Sequence, residues 1–111
     1  MKNKENYLDK IPKLKSSLTY KVSDDNMVTL EIENIGLMNK IAQKLLKKPK
    51  VSYIYLDELG SYAVLCSDGV KSIGEIAPLV KEEFGDKAEP LYERLSKFFQ
   101  IMDSYSFIEW M

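Results

Sequence analysis

The sequence predicts an α+β domain: a three-stranded antiparallel sheet followed by a three-helix bundle, with an extra helix between the second and third strands. Three observations predict it. Two short runs rich in β-branched and apolar residues, 18–22 and 27–32, flank Ser23-Asp24-Asp25-Asn26, whose short polar side chains suit a tight turn. A third apolar run follows at 51–56. From Asp57 onward the apolar residues recur at helical spacing, and Asp68-Gly69 and Gly85 divide them into three segments.

At 111 residues, 45% of them hydrophobic, the chain suffices for one core burying roughly two thirds of its unfolded surface. The single cysteine, Cys66, has no internal disulfide partner, so a reducing compartment suits the chain. No run reaches the roughly 18 apolar residues of a membrane span, and the charged start lacks the apolar stretch of a signal peptide. A cytoplasmic setting without a membrane is expected. There is no histidine, which removes the commonest general base and, with one cysteine, the usual zinc ligand sets. The halves differ in charge: residues 1–50 hold 11 Lys/Arg against 6 Asp/Glu, a balance of +5, and residues 51–111 hold 5 against 11, a balance of −6. An acidic helical half argues against a nucleic-acid surface there.

Residues 1–17 are polar and lysine-rich, and Pro12 discourages a continuous helix. They read as a loose arm ahead of a domain at 18–111. In the hairpin, the alternation of Val28, Leu30 and Ile32 with Met27, Thr29 and Glu31 predicts even positions facing inward. After Asn34 the period becomes helical, with Leu37, Ile41 and Leu45 on one side and Lys40, Lys44, Lys47 and Lys48 elsewhere. This predicts a basic amphipathic helix over 36–48, stopped by Pro49. It is either a docking face for an acidic partner or, preferably, a solvated lid over one end of the sheet.

The strand at 51–56 is apolar on both sides and calls for cover on both faces. Asp57 caps a first helix carrying Leu59, Tyr62, Ala63 and Cys66 on one face. Cys66 reads as a buried structural thiol, with no histidine to activate it. Ser72 and Glu75 form a capping box for a second helix, in which Pro78 takes the donor from the Gly74 carbonyl and predicts a bend. Asp86 and Glu89 suggest a second capping box, and Ala88, Leu91, Tyr92, Leu95, Phe99 and Met102 form the seam of a third helix over 88–103. The tail bearing Phe107, Ile108 and Trp110 is expected to be extended and to fold back on the domain.

The apolar face of that last helix is wider than one core contact requires. Beyond the seam it runs through Leu91, Arg94, Phe98, Ile101 and Tyr105, a flank that either the sheet, the tail or a ligand must cover. The strand at 51–56 supplies an opposite wall. At the border of the sheet, its backbone can accept an incoming chain as an added strand. Val51, Tyr53, Tyr55, Leu91, Arg94, Leu95, Phe98, Ile101 and Tyr105 are the candidate peptide-binding residues.

The hairpin, the edge strand, the Asp-Gly after the first helix and the stretch CSDGVKSIGEIAPLVKEEFG (residues 66–85) resemble the PqqD family, the RiPP recognition elements. The resemblance covers roughly residues 18–110. It implies a small winged-helix-like domain without catalytic activity or cofactor. Such a domain holds the leader segment of a ribosomally made precursor peptide as an added strand, in the cleft between its third strand and last helix, and presents it to a modifying enzyme, often of the radical SAM class. Carried onto this chain, the cleft lies between residues 51–56 and 88–103. The inserted basic helix departs from the compact family pattern.

Two other classes compete. A DNA-binding winged helix would have to overcome Glu75, Glu82, Glu83, Glu89 and Glu93 on its helices. A self-associating module would use the same open strand, or the tail around Trp110, against a second copy in a dimer. The scattered carboxylates have neither a partner base nor metal-ligand spacing, so no enzymatic activity and no metal are expected.

Overall fold

A computed structural model describes residues 6–34 and 50–111. The basic helix expected over 36–48 lies outside them. Two strands, β2 (Thr19–Val22) and β3 (Val28–Asn34), form the predicted hairpin. The Ser23 N–H donates to the Met27 carbonyl and the Asn26 N–H to the Ser23 carbonyl, both at 2.9 Å. Asn26 takes φ 63°, a left-handed conformation that asparagine tolerates. The third strand, β4 (Lys50–Tyr55), pairs antiparallel with β3 in the register Leu30↔Ile54, and the sheet order is β2-β3-β4. As the alternation predicts, Val28 and Leu30 are buried while Thr29 and Glu31 are half-exposed.

Three helices follow: α1 (Glu58–Cys66), α2 (Ile73–Phe84) and α3 (Leu91–Ser104). Asp57 Oδ1 accepts from the Gly60 N–H at 2.8 Å, which starts α1. The α2 capping box is complete, with Ser72 Oγ accepting from the Glu75 N–H at 3.1 Å and Glu75 Oε1 accepting from the Ser72 N–H at 2.8 Å. Gly69 and Gly85 have φ of 81° and 60° at the two breaks, where any side chain would be strained. The core joins the inner face of β3 to all three helices through Leu30, Ala63, Ile76, Val80, Leu95 and Phe99.

Four expectations are corrected. The arm read over residues 1–17 is structured from residue 6: Tyr7–Asp9 is a 3-10 turn, and β1 (Pro12–Leu14) pairs antiparallel with β5 (Ile108–Trp110). Pro12 and Leu14 are buried on either side of Lys13. Proline stops a helix but is tolerated as the first residue of a strand, so its presence did not argue for a loose segment. The tail, as expected, is extended and folds back; its partner is this N-terminal strand.

The third helix starts at Leu91, not at residue 88, and the second capping box does not form. Residues 85–88 make a separate 3-10 turn, and Pro90 is the N-cap without a side-chain cap bond. The ring of Pro90 favours extended backbone at Glu89, which adopts it (φ −78°, ψ 143°), and that conformation is not helical. Asp86 and Glu89 instead pair with Lys81 Nζ at 3.4 and 2.7 Å. Along the seam, Ala88, Leu91, Leu95, Phe99 and Met102 are buried, but Tyr92 is 52% exposed.

Finally, β4 is not covered on both faces by the described residues. Val51, Tyr53 and Tyr55 are 40%, 53% and 77% exposed, whereas Ile54 and Leu56 on the inner face are partly buried against the core.

Candidate functional site

The β4 backbone defines one wall. The Leu56 N–H donates to the Val28 carbonyl at 3.0 Å, continuing the β3–β4 register by one pair. Directly opposed antiparallel residues alternate between bonded and unbonded pairs. Even-numbered residues therefore turn their backbone groups toward β3, and Val51, Tyr53 and Tyr55 turn theirs outward. Among the described residues no strand pairs with β4 on that side.

The second wall is the flank of α3. Between the two walls lies a cavity of about 330 Å³, lined from the strand end by Ile54, Tyr55 and Leu56 and from the helix by Phe98, Ile101, Met102 and Tyr105. Phe107 and Asp57 complete its lining. The aromatic groups are held from behind. Phe98 packs edge-on against buried Phe99, with centroids 5.2 Å apart and planes at 75°. Tyr105 stacks on Phe107 at 5.6 Å and 20°. The turn carrying Tyr105 closes α3, with the Phe107 N–H donating to the Met102 carbonyl at 3.0 Å and Ser106 at φ 63°.

A glycine on α1 sets how close that helix comes to α3. A Cβ on Gly60 would lie 2.9 Å from Phe98 Cε1, closer than two carbon atoms pack, and 3.0 Å from Asp57 Oδ1, a tight contact. Buried Ser61, beside it, accepts the Val28 N–H at 2.8 Å and donates to the Leu56 carbonyl at 3.3 Å. One hydroxyl thus ties α1 to the place where β3 and β4 converge.

Of the nine predicted residues, Tyr55, Phe98, Ile101 and Tyr105 line the cavity. Val51 and Tyr53 belong to the open border of β4 and to its outer face. Leu91 and Leu95 are core residues, 7% and 0% exposed, on the inward flank of the helix, whereas Ile101 and Tyr105 are 48% and 65% exposed. Arg94 lies toward the helix start, where its guanidinium donates to the Lys87 carbonyl at 2.5 Å. It lines a neighbouring cavity of about 360 Å³ together with Asp57, Glu58 and Lys87. Sequence reasoning missed Ile54, Leu56, Met102 and Phe107 as lining residues. All four were visible as apolar members of the strand, the seam and the tail; their sharing of one space was not.

The acid–base groups at hand are few. Burial pushes the Cys66 thiol above its ordinary range, with Lys71 opposing and Asp68 assisting. The Lys71 ammonium and the backbone N–H groups of Lys71 and Val70 hold the Asp68 carboxyl far below the usual carboxylate range. Neither lines the cavity. A larger cavity of about 530 Å³ between the hairpin turn and α1–α2 is bordered by Asp25, Glu58 and Glu83 and by no open strand. Among the described residues, no group of three or more His, Cys, Asp or Glu side chains is arranged to hold a metal ion, and no helix is long and apolar enough to cross a membrane. The β4–α3 cavity sets outward peptide groups beside an apolar, aromatic pocket.

Comparison with protein-family models, with curated proteins and with solved structures finds no match to this chain.

Proposed function

We propose that this chain is a non-catalytic peptide-binding adaptor of the PqqD-like, winged-helix-like kind, which takes the leader segment of a ribosomally made precursor peptide as a strand added to β4 and presents it to a modifying enzyme of the radical SAM class. The observation that carries the reading is the coincidence of the open β4 border with the apolar cavity beside it. Strand addition uses both at once: main-chain bonds set register, and alternate side chains of the guest enter the pocket.

Burying about 300 Å² of apolar peptide surface returns about 7 kcal/mol at about 25 cal/mol per Å². Ordering the peptide costs about 2–5 kcal/mol. Backbone pairing offsets part of that cost, so the net stays below about 7 kcal/mol and the dissociation constant lies between about 10 μM and 1 mM.

Titration of the isotope-labelled protein with candidate leader peptides tests the reading. Amide shifts should concentrate at residues 51–56 and 98–107. Unchanged spectra there with the cognate precursor would sink it.

Self-association is the alternative that the same border favours, because exposed Tyr53 and Tyr55 can face a second β4 as readily as a guest. Sedimentation at several concentrations separates the two: a tight dimer that protects β4 leaves no border for a peptide. DNA binding by a winged helix is disfavoured by the −6 balance of residues 51–111, and a tight, salt-sensitive gel shift on random duplex would reverse that ranking.

A further inference from the structure

The β4–α3 cavity has a neighbour across Tyr105. Tyr105 and Phe107 also line a second cavity of about 350 Å³, which lies under the β2–β3 end of the sheet and reaches Ile32, Leu18 and Lys15. Lys15 and Leu18 in turn line a third, of about 380 Å³, between β1, β2 and α1, bordered by Lys13, Tyr20 and Leu65. Lining residues common to neighbours set the three cavities side by side, as adjoining sections of one trough-like row. It passes from the β4 border around the closing turn of α3 to the opposite border of the sheet, where Tyr20, Val22 and Leu65 are exposed.

The character of the trough changes along its length. The β4 section is apolar apart from Asp57, whose carboxylate already accepts from the Gly60 N–H. The far sections contain two carboxylates and two lysines. Glu31 is held by Lys21 at 3.3 Å and Asp68 by Lys71 at 2.7 Å. Lys13 and Lys15 are in no ion pair among the described residues; Glu109, the register partner of Lys13, is not within ion-pair distance. The uncompensated charge of the far trough is therefore positive, beside apolar Leu18, Tyr20 and Leu65.

We infer that the far trough takes an acidic stretch of the same guest, so that the preferred ligand is a peptide with an apolar strand-forming segment flanked on one side by carboxylates. The inference rests on the β4 reading and adds the chemical class of the ligand. The apolar segment supplies register and most of the affinity; the carboxylates select among apolar segments through Lys13 and Lys15, in solvent-screened ion pairs.

Three fluorescein-labelled synthetic peptides test it by anisotropy: a core probe of alternating threonine and large apolar residues, and the same core with six glutamates, about 20 Å of extended chain, on its N-terminal or its C-terminal side. At low salt, one extended probe should bind the full chain about fivefold tighter than the core probe. That advantage should vanish in Lys13→Gln/Lys15→Gln and above 0.5 M salt (order of magnitude), while the core probe binds wild type and variant alike. Lys87→Gln/Lys97→Gln, which removes the same charge elsewhere, should keep the advantage. Equal binding of all three probes overturns the acidic section and leaves the β4 groove standing. Loss of the advantage in both double variants assigns it to net charge and overturns the trough. A core probe that does not bind at all overturns the groove and this inference with it.

Discussion

Ser61 satisfies two buried backbone groups with one hydroxyl, accepting from Val28 and donating to Leu56, and is itself 1% exposed. Its replacement by alanine leaves the buried Val28 N–H without a partner, so Ser61→Ala should cost about 1–3 kcal/mol. Urea unfolding followed by the fluorescence of the single tryptophan measures it. Asp68 gives a pH signature of opposite locality, on the surface. Its folded carboxyl is held below the unfolded value of about 3.9, chiefly by the hydrogen bond from the Lys71 side chain. Its contribution is therefore fully present above that value and lost as pH falls below it. In Asp68→Asn, the fall of melting temperature from pH 5 to pH 2 (about) should be shallower than in wild type. Neither role was legible from sequence: a serine inside a helix and an aspartate before glycine have many ordinary reasons to be there, and only the strands opposite Ser61 reveal its partners.

At the scale of elements, the helix starts at Asp57 and Ser72 were legible because a cap is a local bond over three residues. The start of α3 was not, since the same residue types at 86 and 89 pair with Lys81 and Glu89 takes the extended backbone that Pro90 favours. The α1–α3 contact depends on Gly60. Adding one methyl there pushes on Phe98 and on the cap of α1 together, and overpacking of this kind costs about 1–3 kcal/mol. Gly60→Ala should lower stability by that amount, read by denaturant titration. It should also move the Phe98 ring resonances, the earliest sign that the groove wall has shifted.

Across the whole molecule, the chain ends meet. β1 and β5 pair in the register Pro12↔Trp110, the Met111 N–H donates to the Ile11 carbonyl at 2.8 Å, and the Gly69 N–H reaches Pro12 at 3.2 Å. Trp110 packs edge-on against Tyr7 at 5.8 Å, with Lys10 Nζ 5.0 Å from its ring centre. This clasp lies behind Phe107, which lines both the β4 cavity and its neighbour. Trp110→Ala should therefore cost about 2–4 kcal/mol, a little less than a fully buried aromatic, and should speed amide exchange at both residues 12–14 and 108–110. Loss of protection at the tail alone would mean that the N-terminal strand holds without it.

The sequence by itself determined the elements that depend on near neighbours: the hairpin with its Asn26 turn, the three helical segments and their glycine breaks, and the excess width of the last apolar stripe. Alternation, capping and turn chemistry act over a few residues, and those residues were all in view. Tertiary structure alone decided which strand partners the tail, which flank of α3 faces the core, and that Ile54, Leu56, Met102 and Phe107 enclose one space with Tyr55, Phe98, Ile101 and Tyr105. Each of these is a pairing between segments tens of residues apart, chosen by competition for the same buried surface, and no local pattern records the winner of that competition.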